Sequence, residues 1–123
     1  MALGALFCVA KEPDALQFEE TSFDFGTIRS DHAPVVHEYE FTNVSDQPVA
    51  VLSVSTGCGC TRPTYPTEPI KPGKKGKIKI TFLPEGQSKG ILKDIKVRYR
   101  GAKARSSRRI TLQLKGVVEP VTK

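Results

Sequence analysis

Strict alternation of apolar and polar residues constrains this chain more than any other feature of its sequence. His37, Tyr39 and Phe41 alternate with polar residues, and the same period of two recurs in residues 77–82, 95–100 and 110–115. A period of two places successive side chains on opposite faces of a strand, so each segment can bury one face. These segments predict half-buried β-strands that stack as two sheets.

Proline and glycine interrupt the chain throughout, and no segment of useful length has helical periodicity. A parallel α/β fold needs crossover helices, so the pattern predicts antiparallel sheets joined by turns and short loops. Leu16 and Phe18 share one parity, whereas Phe23 and Phe25 share the other. This shift predicts a break or bulge where the first strand changes sheets.

Two segments between the alternating strands carry their own expectations. The β-branched run from Val49 to Ser55 predicts a buried central strand. Prolines follow at positions 63, 66, 69 and 72, a spacing that matches one face of a polyproline II helix. Such a helix could bind an SH3-like groove, but a stiff crossover between the two sheets is the interpretation we prefer.

Basic residues are concentrated in one segment of a chain whose formal net charge is +6. Residues 96–109 hold seven cations and no acid, which favours an anionic partner, although a solvated surface is the simpler interpretation. No run of aromatic residues interleaves these cations, so nucleic acid is disfavoured as a ligand. The candidate interaction residues are Arg98, Arg100, Lys103, Arg105, Arg108 and Arg109.

The apolar start of the chain, residues 1–10, precedes a polar linker. We interpret residues 1–15 as the remnant of an export signal with its linker; an ordinary first strand is the alternative. Cys8 could be lipidated, but the preceding Phe7 is a poor match to a lipidation motif, so removal with the signal is preferred. No apolar stretch reaches the ~20 residues of a membrane-spanning helix. The predicted location is the periplasm or the cell surface, with a lipid anchor as an open alternative.

Several short pieces occur in an order that resembles a known family. They are Phe23-Asp-Phe-Gly-Thr-Ile28, Tyr39-Glu-Phe-Thr-Asn43, Pro48, Cys58-Gly-Cys-Thr61, Pro66, Pro72-Gly73 and Phe82. This order resembles the bacterial domain-of-unknown-function family numbered 1573, from about residue 18 to residue 118. The resemblance implies one all-β domain over residues 16–120, an immunoglobulin-like antiparallel β-sandwich of about seven strands. It also implies a shape similar to major sperm protein and pilus-chaperone domains, and no agreed activity.

Cys58 and Cys60 are flanked by glycines directly after the Val49–Ser55 run. They could form a short disulfide, hold Cu(I) or Zn(II) with His32 or His37 as further ligands, or simply pack as thiols. Zinc is the weakest of these hypotheses because a tetrahedral site needs four ligands. A structural clip or plain packing is favoured over redox chemistry or copper, because few supporting ligands are present and the spacing is not C-x-x-C.

The sequence contains no phosphate-binding loop and no H-E-x-x-H. The pattern G-x-S-x-G occurs once, at residues 86–90, but no segment with helical periodicity follows it, as a nucleophile elbow requires. We therefore predict a non-catalytic interaction module of the cell envelope that binds a protein partner and needs no cofactor. One alternative is a thiol-redox or copper-binding protein that uses Cys58 and Cys60. The other is a binder of anionic polymers, such as an acidic glycan or lipid, through the basic hairpin 96–109.

Overall fold

The computed structural model describes residues 15–57 and 59–121, which form eight strands. They are β1 (Leu16–Phe18), β2 (Ser22–Arg29), β3 (Val35–Asn43), β4 (Val49–Ser55), β5 (Thr61–Thr64), β6 (Lys75–Phe82), β7 (Lys89–Gly101) and β8 (Arg108–Glu119). The described residues contain no helix, and therefore none that could cross a membrane. The all-β prediction is confirmed, with eight strands where about seven were expected. The predicted export segment lies almost entirely outside the described residues.

The strands form two four-stranded sheets. The first sheet has the order β1-β3-β6-β5 and is antiparallel throughout. The second has the order β2-β8-β7-β4, and in it β2 pairs with β8 in parallel. A purely antiparallel sandwich is therefore wrong at this one pairing. The physical reason is that only residues 19–21 separate β1 from β2, so the chain changes sheets without reversing its direction.

The predicted change of sheet near the start of the chain is confirmed. β1 belongs to the first sheet and β2 to the second, so Leu16 and Phe23 reach the core from opposite sheets. The register of β2 against β8 also shifts between Asp24 and Thr27. Gly26 lies in this irregularity with φ of 82°, a conformation that glycine adopts without a steric penalty. The Asp24 carboxylate accepts a 2.8 Å hydrogen bond from the backbone amide of Gly26.

The prediction that β4 is a buried central strand is wrong, because β4 is an edge strand of the second sheet. Val49, Val51 and Val54 are buried, but the register shifts between Val51 and Ser53. Leu52 lies in this bulge and is 39% exposed. β4 is therefore apolar because its buried side chains change from odd to even positions at the bulge, not because both of its faces are buried.

The proline-rich segment does not carry the chain from one sheet to the other, as the sequence had indicated. The crossover lies earlier, between β4 and β5, and residues 65–74 begin and end in the first sheet. Pro63 itself lies within β5, an edge strand, where a missing backbone donor is tolerated. Ile70 nevertheless reaches the second sheet and exchanges two backbone hydrogen bonds with Val49, at 2.8 and 3.0 Å.

The core lies between the two sheets and contains the residues that the alternating segments predicted. Its largest fully buried side chains include Tyr39, Phe41, Phe82 and Tyr99. The Tyr39 hydroxyl donates a 2.7 Å hydrogen bond to the carbonyl oxygen of Gln113 and so joins the two sheets. Burial, and to a lesser degree the charge of Glu20, raises the pKa of Tyr39, so this hydroxyl keeps its proton.

Candidate binding site at the basic hairpin

The basic segment forms the hairpin between β7 and β8, and the tip spans residues 102–107. The six cations that the sequence singled out are all exposed, but they do not share one face. Arg98, Arg100 and Arg109 lie on the outer face of the second sheet, whereas Lys103 and Arg105 lie in the tip. Arg108 is opposite the buried Tyr99, on the other side of the hairpin.

Arg98 and Arg109 are directly opposite each other across the two strands. The amide of Gln113 donates to Thr21, away from β7, so the pair at Gln113 is not hydrogen-bonded across the hairpin. Alternation along β8 then makes the Arg98–Arg109 pair non-hydrogen-bonded as well, and in such pairs the side chains are closest, with Cα atoms about 4.5 Å apart. Two like charges in this position destabilise the hairpin.

A shallow hollow of about 220 Å³ lies beside this arginine pair. Its lining residues are Ser53, Ser55, Lys96, Val97, Arg98 and Arg109. Hydroxyl groups of the edge strand β4 thus lie next to three cations, and none of the described residues that line the hollow is acidic. Hydroxyl and guanidinium groups both donate hydrogen bonds, which is the chemistry that an anion requires.

A larger groove, of about 330 Å³, opens at the end of the sandwich, between the hairpin and the turn that joins β3 to β4. Arg100 and Arg108 line it on the hairpin side, and Asp46 lines it on the turn side. Val44, 45% exposed, adds an apolar surface to the same groove. This end of the molecule therefore offers both apolar and cationic contacts.

The turn before β4 holds the hairpin tip in place. The amide of Ala102 donates to the carbonyl of Pro48 at 2.8 Å, and the amide of Lys103 donates to Oε1 of Gln47. A side chain at Gly101 would collide with the Gln47 amide, whose Cδ lies 2.8 Å from the position of a Cβ. These contacts order the tip from a segment more than 50 residues away, which no local sequence signal indicated.

The structure also adds residues that the sequence did not single out as a site. Ser53 and Ser55 were expected in a buried strand, but they face the hollow because β4 is bulged and lies at the edge. The alternation of these two serines with the apolar Val54 is the sequence signal that could have identified them. Lys96 was part of the basic run but not of the candidate list, and it lies in the same hollow.

The cysteines are described only in part. Cys60 is disulfide-bonded and packs, partly buried, against the core. Cys8 and Cys58 lie outside the described residues. A disulfide between Cys58 and Cys60, one of the alternatives that the sequence left open, therefore stays a hypothesis.

Residues 15–57 and 59–121 contain no group of three or more His, Cys, Asp or Glu side chains that could hold a metal ion. His37 stacks on Phe23 with ring centroids 3.7 Å apart and contacts the Glu20 carboxylate at 2.8 Å. His32 contacts the carbonyl oxygen of Ala33 at 2.6 Å. Both histidines thus have structural contacts of their own.

Acidic residues gather at a different place on the molecule. Glu19, Glu20, Glu38 and Glu40 line a shallow hollow along β1 and β3 in the first sheet. Cations accompany them, since Lys77 lies 3.3 Å from the Glu38 carboxylate. Acids and cations are neighbours on the first sheet, whereas the hollow beside Arg98 and Arg109 holds cations without acids.

Solved structures with the same architecture come from several kinds of protein. The ASH/PapD-like domain of human CEP192 is 16% identical, with a TM-score of 0.75, and the match covers 99% of both chains. The YadV chaperone is 15% identical, with a TM-score of 0.62, over 89% of this chain and 53% of that one. The major sperm protein family member WR4 of C. elegans is 15% identical, with a TM-score of 0.59, over 86% and 99%. These likenesses confirm the immunoglobulin-like fold.

Curated proteins provide no match to the sequence. The family model described as "Protein of unknown function (DUF1573)" matches residues 16–118, from the first residue of β1 to the second-to-last residue of β8. That match spans both sheets and most of the chain, and so the protein belongs to the DUF1573 family.

Proposed function

We propose that the chain is a non-catalytic interaction module of the cell envelope, and that its basic hairpin binds an acidic segment of a partner protein. The observation that carries this proposal is the Arg98–Arg109 pair beside a hollow without carboxylates. Like charges directly opposite each other destabilise a sheet. A bound carboxylate would convert this repulsion into two attractions.

The type of cation supports a carboxylate ligand. Three of the exposed cations on this face, Arg98, Arg100 and Arg109, are arginines. A guanidinium group binds a carboxylate with two parallel hydrogen bonds, which gives geometry as well as charge. Ser53 and Ser55 add hydroxyl donors at the margin of the same hollow.

Burial of Tyr99 argues against nucleic acid. It is the aromatic residue of segment 96–109, and it is 1% exposed. Single-stranded nucleic acid binds largely by stacking its bases on exposed aromatic rings. The basic segment 96–109 offers no such ring, because Tyr99 is buried. Acidic glycans and anionic lipids could use the same cations, so the experiment below includes both.

The proposed envelope location is supported by the apolar segment 1–10 and by the disulfide at Cys60. Disulfides persist in oxidising compartments and are rare in the cytosol. The protein isolated from its own cells should therefore carry a processed N-terminus and fractionate with the periplasm or the cell surface. An unprocessed chain in the cytosolic fraction would contradict this part of the proposal.

A peptide-binding experiment tests the hairpin. A fluorescent peptide of about eight residues, alternating Glu with Val so that it can extend as a strand, is titrated with the protein, and a Gln–Val peptide serves as the neutral control. The variant Arg98→Gln/Arg100→Gln/Arg109→Gln is compared with Lys71→Gln/Lys75→Gln/Lys79→Gln. Both lower the formal net charge of +6 by three, and all six positions are exposed.

We expect the arginine variant to bind the Glu–Val peptide at least about tenfold more weakly, a loss of ~1.4 kcal/mol, and the lysine variant to bind like the wild type. Equal losses in the two variants would show that only net charge matters. Tight, hairpin-dependent binding of heparin or anionic vesicles without binding of the peptide would favour the polymer alternative. No peptide binding by the wild type would refute the proposal.

The thiol-redox alternative rests on a different observation, the disulfide at Cys60. A sulfur in a disulfide is not a thiolate, so copper binding there would require reduction first. Structural disulfides of secreted proteins resist the glutathione pool, with potentials below about −300 mV. Equilibration with glutathione buffers followed by thiol labelling separates the two roles, because ready reduction supports redox chemistry and resistance supports a clip.

A further inference from the structure

Within the described residues, the second sheet has no further strand beside the start of β8. β8 begins at Arg108, but its pairing with β2 begins only at Gln113. The chain that precedes β2 lies in the first sheet as β1, so no strand in the described part of the chain pairs with residues 109–112 on the side away from β7. We call this position the β8 slot.

Two residues of β8 point their backbone amide and carbonyl groups towards the slot. The amide of Gln113 donates to Thr21 at 2.8 Å, on the side away from β7, and its carbonyl accepts from the Tyr39 hydroxyl. Backbone groups of alternate residues in a strand point the same way. Thr111 and Arg109 therefore present their amide and carbonyl groups to the slot, and both residues are exposed.

The other edges of the two sheets carry features that discourage strand pairing. β1 has only three residues, and β5 contains Pro63. β2 and β4 are interrupted by register shifts. Short strands, proline and bulges are the means by which proteins protect sheet edges. The slot contains neither a proline nor a bulge, because residues 108–112 hold no proline and the β7–β8 register is continuous from Tyr99–Arg108 to Lys89–Val118.

We propose that the β8 slot accepts a short extended strand of the acidic partner, which adds to the second sheet beside Arg109 and Thr111. This proposal rests on the function proposed above and specifies how the partner binds. The added strand pairs with the backbone of β8, a known mode of peptide recognition. Its length is about five residues, or ~17 Å, because β8 extends that far beyond β2.

The faces of the slot determine the sequence pattern of the added strand. Its outward side chains would lie next to Arg109, within the face that also carries Arg98, so these positions should be acidic. Its inward side chains would lie over Ile110, which packs against the core but is only partly buried. These positions should be apolar. The expected ligand therefore alternates acidic and apolar residues.

Arg109 could instead act only as a guard, since a charged residue on an edge discourages pairing with other strands. A guard repels neutral and basic strands alike and makes no use of the backbone of an acidic one. The two interpretations therefore differ in whether peptide amides contribute to binding. Methylation of amide nitrogens measures this contribution without changing the protein.

The experiment uses two N-methylated forms of the Glu–Val peptide. In one form the amides of the Glu residues are methylated, and in the other the amides of the Val residues. Along an extended strand, the amides of successive residues point to opposite edges, so only one form loses the donors that face β8. We expect one form to bind at least about tenfold more weakly and the other to bind as the unmethylated peptide does. The form that loses affinity reveals the direction of the added strand.

Amide hydrogen exchange provides a second readout in the wild-type protein. Peptide binding should slow exchange at Arg109 and Thr111 and leave Ile110 and Leu112, which pair with β7, unchanged. Equal affinity of both methylated forms, or loss with both, would overturn strand addition, and so would unchanged exchange at Arg109 and Thr111. Hairpin-dependent binding that ignores methylation would leave the proposed function standing, whereas no binding of the unmethylated peptide would remove both.

Discussion

Reversal of the charge at Arg109 should stabilise the free domain while it abolishes binding. Arg109 faces Arg98 across the hairpin, both side chains are exposed, and no carboxylate lines the hollow beside them. The variant Arg109→Glu replaces this repulsion with an attraction between opposite charges. A residue kept for binding at the expense of stability should show this combination.

The expected gain in stability follows from Coulomb's law. Two unit charges about 6 Å apart in water interact with ~0.7 kcal/mol, which agrees with the roughly 0.2–1 kcal/mol measured for cross-strand charge pairs. Reversal removes the repulsion and adds a similar attraction, so the gain in unfolding free energy should be about 1 kcal/mol at low salt. A domain of this size would then melt about 4 °C higher. Because both groups are exposed, about 1 M salt should suppress most of the gain.

Urea unfolding at about 20 mM and about 1 M salt measures this effect. Arg105→Glu is the matched control, because it makes the same charge change in the tip, outside both strands. Introducing Arg109→Glu into an Arg98→Thr background isolates the pair, and there the gain should shrink by more than half. A gain equal to that of Arg105→Glu, a gain insensitive to salt, or a loss of stability would refute the repulsion argument.

Two further predictions concern the core, and urea unfolding measures both. Gly76→Ala should destabilise the domain by about 1–3 kcal/mol, because a Cβ at Gly76 would lie 2.5 Å from Cζ of the fully buried Phe41. Gly90→Ala, with nothing within 4 Å, should change stability by less than about 0.5 kcal/mol, and similar losses in the two variants would contradict this account. Tyr39→Phe should lose about 1–2 kcal/mol because the carbonyl of Gln113 loses its donor, so a neutral substitution would show that this bond contributes little.

Much of the sandwich could be predicted from local patterns. The alternation in residues 77–82 and 95–100 identified side chains such as Ile80 and Val97, which the structure buries completely. The parity shift between Phe18 and Phe23 identified the change of sheet. These predictions succeed because side-chain direction along a strand is a local property of the backbone.

Partner choice could not be read in the same way. The apolar run of β4 gave no indication that the strand would lie at an edge with a bulge, so the exposed Ser53 and Ser55 were missed. The proline spacing likewise did not indicate where that segment of the chain leads. Ile70 joins the opposite sheet through Val49, a contact between residues distant in sequence.

The candidate site shows the same division. Local sequence is enough to show that residues 96–109 are basic, that they lie on alternating strand positions and that they enclose a turn. Only the folded chain shows that Arg98 faces Arg109 and that no strand of the described residues lies beside Thr111. Charge and periodicity are properties of neighbouring residues. Register and vacancy depend on which distant strands pair, and that choice is made by burial of the whole core.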